Sequence, residues 1–137
     1  MSIALTIVTP QGIVFQGPVE SVVLPGAEGE FGVLENHERF LSPLRTGEVE
    51  IKTPEGSTFA AIAQGFADVV GDEVTVLVES CEVSAEIDVA RAELARERAS
   101  QGLEQLDRDE DRERFEAFEA ALERAENRLA VSSRSQG

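Results

Sequence analysis

The chain has 137 residues, room for one modest domain and an appendage but not for two full cores. Its formal net charge of −15 argues against nucleic acid and against anionic lipid as partners. A single cysteine, Cys81, and a single histidine, His37, allow no internal disulfide and no metal cluster built on either residue type.

The remaining composition suits a small folded protein: 42% of residues are hydrophobic and seven are Phe, with no Trp or Tyr. No apolar run approaches the roughly 18 residues of a membrane span, so direct membrane insertion is not expected. The opening residues lack the basic start and apolar stretch of a signal peptide, and a reduced, cytoplasmic setting is expected. Charge is unevenly divided. Up to Ser84, Arg39, Arg45 and Lys52 stand against 13 acids, and from Ala85 onward nine Arg stand against 14. The acidity implies solubility or a basic protein partner.

Short β-type runs alternate with turn residues through the first 84 positions. Ile3 to Thr9 places Ile3, Leu5 and Ile7 on one face before Pro10-Gln11-Gly12 breaks the run. Further runs follow at Ile13 to Phe15, Val19 to Leu24, Phe31 to Leu34, Gly47 to Thr53, Thr58 to Gln64, Phe66 to Val70 and Val74 to Glu79. The breakers between them are Gly17-Pro18, Pro25-Gly26, Pro54-Glu55-Gly56, Gly65 and Gly71-Asp72. Closely spaced strands without a crossover helix predict an antiparallel β-sandwich or flattened barrel of about eight to ten strands.

After Ser80, Gly and Pro almost vanish and Ala, Glu, Arg and Leu take over, the composition of exposed helices. Val89, Ala92, Ala95, Ala99, Leu103 and Leu106 recur at helical spacing as a thin, mostly small stripe, and Phe115, Phe118, Leu122, Ala125 and Leu129 form a 3-4-3-4 seam. A turn at Leu106 to Asp109, with Asp107 as N-cap of the second helix and Glu110 three residues later, predicts an antiparallel two-helix hairpin. Domains are therefore expected at 1–84 (sandwich) and 85–137 (helical hairpin). A buried Leu or Phe contributes roughly 1.5–3 kcal/mol, whereas ordering costs about 1–2 kcal/mol per residue of backbone. So thin a seam makes the hairpin marginal alone, dependent on docking, and able to open toward a better surface.

No catalytic constellation is found. Cys81 has no neighbouring base, the carboxylates Glu28, Glu30, Glu35 and Glu38 lie in one loop, and neither phosphate-binding glycine motif is present. Pro25 to Gly32 holds three glycines, with Glu28 and Glu30 set to project beside Phe31, as a hairpin turn or a contact loop. In Ile87-Asp88-Val89-Ala90-Arg91-Ala92, Asp88 is either an N-cap or a ligand acceptor, and Arg91 either solvated or a phosphate ligand. Arg91 and Arg98 share a face of the first helix, and Arg124 and Arg128 one of the second.

With these residues in place the chain resembles the epsilon subunit family of bacterial F-type ATP synthases. The likeness spans nearly the whole length: Leu5 to Pro10, Leu24 to Leu34, His37, Leu44-Arg45-Thr46-Gly47, Ile87-Asp88-x-x-Arg91-Ala92, and Arg124 to Leu129. The resemblance implies a non-catalytic rotor subunit of the central stalk, peripheral on the cytoplasmic face of the inner membrane and coupling proton-driven rotation to ATP synthesis. Its sandwich would bind the gamma subunit and rest on the c-subunit ring. Its hairpin would permit ATP hydrolysis when folded down and inhibit it when extended into the alpha/beta catalytic head.

The resemblance also places the partner contacts at Glu28, Glu30, Phe31 and His37, although Asn36-His37-Glu38-Arg39 departs from the usual Gly-His-Ala-Pro. No cofactor is required, but some members bind ATP as a regulatory ligand. Carried over by position, the residues for it are Glu82, Ile87, Asp88, Arg91, Ala92, Arg98, Arg124 and Arg128. Ala117 stands where such members place a further basic residue, flanked by Glu116 and Glu119. Five glutamates beside Arg124, Arg128 and Arg134 in the last helix predict weak or conditional inhibition. Two readings from other classes are a nucleotide sensor and a free-standing adaptor with a coiled-coil arm.

Overall fold

The computed structural model describes residues 2–33 and 39–136. Its strands are β1 (Ile3–Thr9), β2 (Gly12–Val19), β3 (Ser21–Gly26), β4 (Gly29–Val33), β5 (Phe40–Leu44), β6 (Gly47–Thr53), β7 (Gly56–Ile62), β8 (Gly65–Val70), β9 (Glu73–Val78) and β10 (Cys81–Val83). A 3-10 turn at Ser84–Glu86 leads into α1 (Val89–Gln105) and α2 (Arg112–Ser132), and a second one follows at Ser133–Gln136.

One sheet carries the strands in the order β10, β7, β6, β3, β5, β8, β9, β1, β2, with β4 paired to β3. β2 returns against β6, which nearly closes the sheet on itself. The strict alternation read in β1 turns one of its faces into the enclosed core: Ile3, Leu5 and Ile7 are fully buried and share one cluster with Val22, Leu24, Val49, Ile51, Val69 and Val76. Phe15, Phe31, Phe40 and Cys81 pack on its rim. The expected sandwich is present, with one difference in its pairing: β1 lies antiparallel to β2 but parallel to β9.

The strand limits differ from the sequence reading at three prolines and elsewhere, and the β10 strand at Cys81–Val83 was also not read from the sequence. Gly17-Pro18 and Pro25-Gly26 lie inside β2 and β3 instead of breaking them. β2 pairs with β1 alone, so the missing N–H of Pro18 faces an open edge. The β5 strand, absent from the sequence reading, contains Pro43; it pairs along β8 but meets β3 only at Gly26 opposite Leu44, so it tolerates the lost donor. Gly65, read as a breaker, opens β8 because the backbone of β9 comes so close that a Cβ there would overlap the Leu77 carbonyl oxygen.

The hairpin forms as expected but is capped differently. Asp111, not Asp107, stands at the N-cap of α2. Asp107 closes the preceding turn instead, its Oδ1 accepting from the Asp109 and Glu110 amides at 2.9 and 3.0 Å, which holds its carboxyl below the usual range. Asp88 is the N-cap of α1, Oδ1 accepting from the Arg91 amide at 3.0 Å. The seam is small on the α1 side, where Ala92 and Ala99 are buried, while Val89 is 36% exposed and contributes little to it. Gly102 lies under Phe118, where any Cβ would meet ring carbons at 2.8–2.9 Å. A glycine that costs an exposed helix about 1 kcal/mol here admits an aromatic ring.

Candidate functional site

Alternation in the sandwich puts a second apolar set outside. The register aligns Pro43 with Phe66, Phe66 with Leu77, Leu77 with Val8, and Val8 with Ile13. Residues in register share a face, so these five form a row across β5, β8, β9, β1 and β2. Phe66 is 52%, Leu77 50% and Ile13 59% exposed, and Leu41, two residues from Pro43 on the same face, is 67% exposed. A contiguous apolar belt of this kind on an acidic protein marks a protein interface. The sequence reading missed it. Its signal was present in Val74 to Val78, which is apolar at Val76, Leu77 and Val78 on both faces of a strand.

The contact residues read from the sequence sit elsewhere. Glu28 and Glu30 are exposed at the tight β3–β4 turn, as expected. Phe31 is half-buried and points its ring at the core, edge-on to Phe40 at 5.5 Å between centroids. His37 lies outside the described residues.

The residues carried over for a nucleotide are partly brought together. Glu82 and Arg128 face each other, Nε 2.8 Å from Oε1 but off the hydrogen-bonding line, and Nη2 donating to Oε2 at 3.4 Å. Ile87 is buried against Ala61 and Val131, Asp88 serves as the cap, and Ala92 is buried. Arg91 and Arg98 are exposed on α1. Arg124 lines a cleft of about 550 Å³ between α2 and the sandwich, with Arg45 and Glu79 opposite it and Glu123 beside it. The crevice between the helices carries Glu93, Glu97 and Glu126 against Arg96. Glu82 thus neutralises one of the cations a polyphosphate would need, and the interhelical crevice is net acidic.

Cys81 is free and half-buried, and burial, with Glu82 alongside, pushes its thiol up to about 11 from 9.0. The thiol form is thereby favoured in the folded protein, a preference fully present below the unfolded value and lost as pH rises through the folded one. At pH 8 this rise removes about 99% of the thiolate, so alkylation by iodoacetamide is expected to run about a hundredfold slower in the native protein than in urea. Equal rates would show that the thiol is not held in this environment.

The helical arm is docked through the C-terminal end of α2. Val131 is 1% exposed in a socket of Ala61, Ile87 and Phe59, and the Asn127 side-chain amide donates to the Gly47 carbonyl at 2.8 Å. Arg134, just beyond α2, donates from Nε and Nη2 to the two carboxylate oxygens of Glu48 at 2.9 and 3.0 Å. Among the described residues no group of His, Cys, Asp and Glu could hold a metal ion, and no helix is long and apolar enough to cross a membrane.

A sandwich with an apolar belt on one outer face and a helical arm held at one end defines a subunit built to dock on a larger neighbour. Comparison with known proteins makes this specific. Residues 2–84 match the beta-sandwich domain, and residues 85–133 the long alpha-helix domain, of the ATP synthase delta/epsilon chain. The chain belongs to that family. Relatives include the ATP synthase epsilon chain of Syntrophobacter fumaroxidans, 44% identical over 97% of both chains, and that of Staphylococcus aureus, 42% identical over 93% of this chain and 94% of the relative. A subunit in the cryo-EM structure of the Euglena gracilis mitochondrial ATP synthase, comprising OSCP, F1 and c-ring, superposes with a TM-score of 0.80 at 28% identity. That match covers 95% of this chain and 81% of the other. A chain in the central stalk and c-ring structure of the Tetrahymena thermophila mitochondrial enzyme shares the fold alone, with a TM-score of 0.54 at 14% identity over 64% of this chain and 70% of that one.

Proposed function

We propose that the chain is the epsilon subunit of an F-type ATP synthase, a non-catalytic part of the central stalk on the cytoplasmic side of the membrane. In this reading the sandwich grips the gamma subunit through the Phe66 and Leu77 belt and meets the c ring near Glu28 and Glu30. The observation that supports the reading is the pairing of that belt with an arm docked through a few residues: one surface suited to hold the rotor and one element whose few contacts suit it to release. The extended arm would reach the alpha/beta head and restrain hydrolysis.

Co-expression with a gamma subunit tests the first half. A stable complex is expected, and an adaptor unrelated to the rotor would give none. Hydrolysis by the assembled catalytic complex with and without residues 87–137 tests the second. The acidic cast of α2 predicts a modest rise on deletion, and a many-fold rise would overturn weak inhibition. ATP as a ligand of the folded arm would have to displace Glu82 from Arg128. Titration while the Arg91 and Arg124 resonances are followed reads this directly, with small or no shifts expected at millimolar ATP.

A further inference from the structure

We propose that Arg134 is the latch that keeps the helical arm on the sandwich, so that release starts at the C-terminal end of α2 and is governed by charge at Glu48. The proposal rests on the reading of a mobile arm and names the contact that regulates it.

The arm meets the sandwich over a short reach. α1 packs mainly on α2, and α2 touches β6, β7 and the 3-10 turn before α1. Among the described residues, the hydrogen bonds, ion pairs and buried apolar contact that tie α2 and its extension to the sandwich lie between Asn127 and Arg134, two turns of chain. Of these, Arg134 is the outermost. Its guanidinium is doubly bonded to Glu48 on β6 and lies over the Phe59 ring of β7 at 4.9 Å from the centroid. One planar group thus ties the end of the arm to two neighbouring strands, a geometry that Lys cannot reproduce.

The surroundings make this contact an electrostatic one. Arg134 also feels Glu50 and Glu30, and together with Glu48 they raise its pKa, so a single cation at the end of the arm faces three carboxylates of the sandwich. The side chain is 52% exposed and open to salt and to competing cations, whereas the Val131 socket is not. The local fold delivers it there. The Ser132 and Ser133 hydroxyls donate back to the Leu129 and Ala130 carbonyls at 2.7 Å, tightening α2 into the 3-10 turn that carries Arg134.

Hydrogen–deuterium exchange of the intact, isolated chain tests the latch. Arg134→Ala is expected to speed exchange of amides in residues 89–132 by about three- to tenfold at low salt and to leave β1 and β9 unchanged. Glu48→Gln should act in the same direction. If the two groups act on each other, the double variant should be no faster than Arg134→Ala within about 1.5-fold. Molar salt should accelerate the arm of the wild-type chain and have little effect on that of Arg134→Ala. Unchanged exchange in Arg134→Ala, or multiplying effects in the double variant, would overturn the latch. Binding of the same variants to gamma is measured alongside; its loss in the wild-type chain would defeat the rotor assignment and leave the latch result standing.

Discussion

Phe66→Asp is expected to weaken binding to the gamma subunit by about a hundredfold or more while leaving the isolated chain folded. Phe66 stands within the exposed row, in register with Pro43 on one side and with Leu77, the middle member, on the other. Its removal from the partner loses an aromatic anchor, and anchors of this kind typically carry about 2 kcal/mol or more. The carboxylate adds the cost of an uncompensated charge in an apolar contact. Because the side chain is 52% exposed in the free chain, the fold gives up little. Leu77→Asp should behave alike. Titration calorimetry with gamma checks both, and Arg91→Ala, on the exposed side of α1, should bind as wild type. Retained affinity in Phe66→Asp would move the grip to another face.

The largest expected effect on stability comes from one of the smallest changes, Gly65→Ala. The added Cβ would overlap the Leu77 carbonyl oxygen and sit 2.8 Å from the Val78 Cα, and both are backbone atoms that no rotamer can move aside. Relief requires β8 and β9 to separate at the pair Gly65 and Val78, next to the buried Ala67, Val76 and Val78. Backbone clashes of this kind cost about 3 kcal/mol or more, and for a domain of this size that lowers the Tm by roughly 10 °C or more. A thermal melt gives the answer, and an unchanged Tm would mean that the two strands do not approach as closely as described. Loss at Gly65 would also tilt Phe66, so gamma binding should fall together with stability.

Much of the molecule was legible because its periodicities are clean. The alternation of Ile3, Leu5 and Ile7 announced a half-buried strand, and the loss of Gly and Pro after Ser80 announced the helices. What stayed hidden was tertiary. Pro43 disguised β5, since only the sheet order shows that its strand is scarcely paired on one side. Asp107 and Asp111 are equally good caps by type, and the choice between them was made by where the turn ends. The docking belt could not be read as a belt because its members come from five strands scattered between Val8 and Leu77, and register alone lines them up. The nucleotide residues were found as a set by resemblance, but their distribution between a cap, a core, an ion pair and open solvent is a property of the packed hairpin.

The parallel partnership of β1 and β9 has a consequence for biosynthesis. Residues 4–8 leave the ribosome long before residues 73–77, yet they have no companion on one side until those have emerged. Until then the nascent chain holds this strand as an unzipped border, exposed to neighbours and to chaperones. Completion of the sandwich is thus expected to occur as a late, slow step, gated by the longest loop that its strand pairings must close.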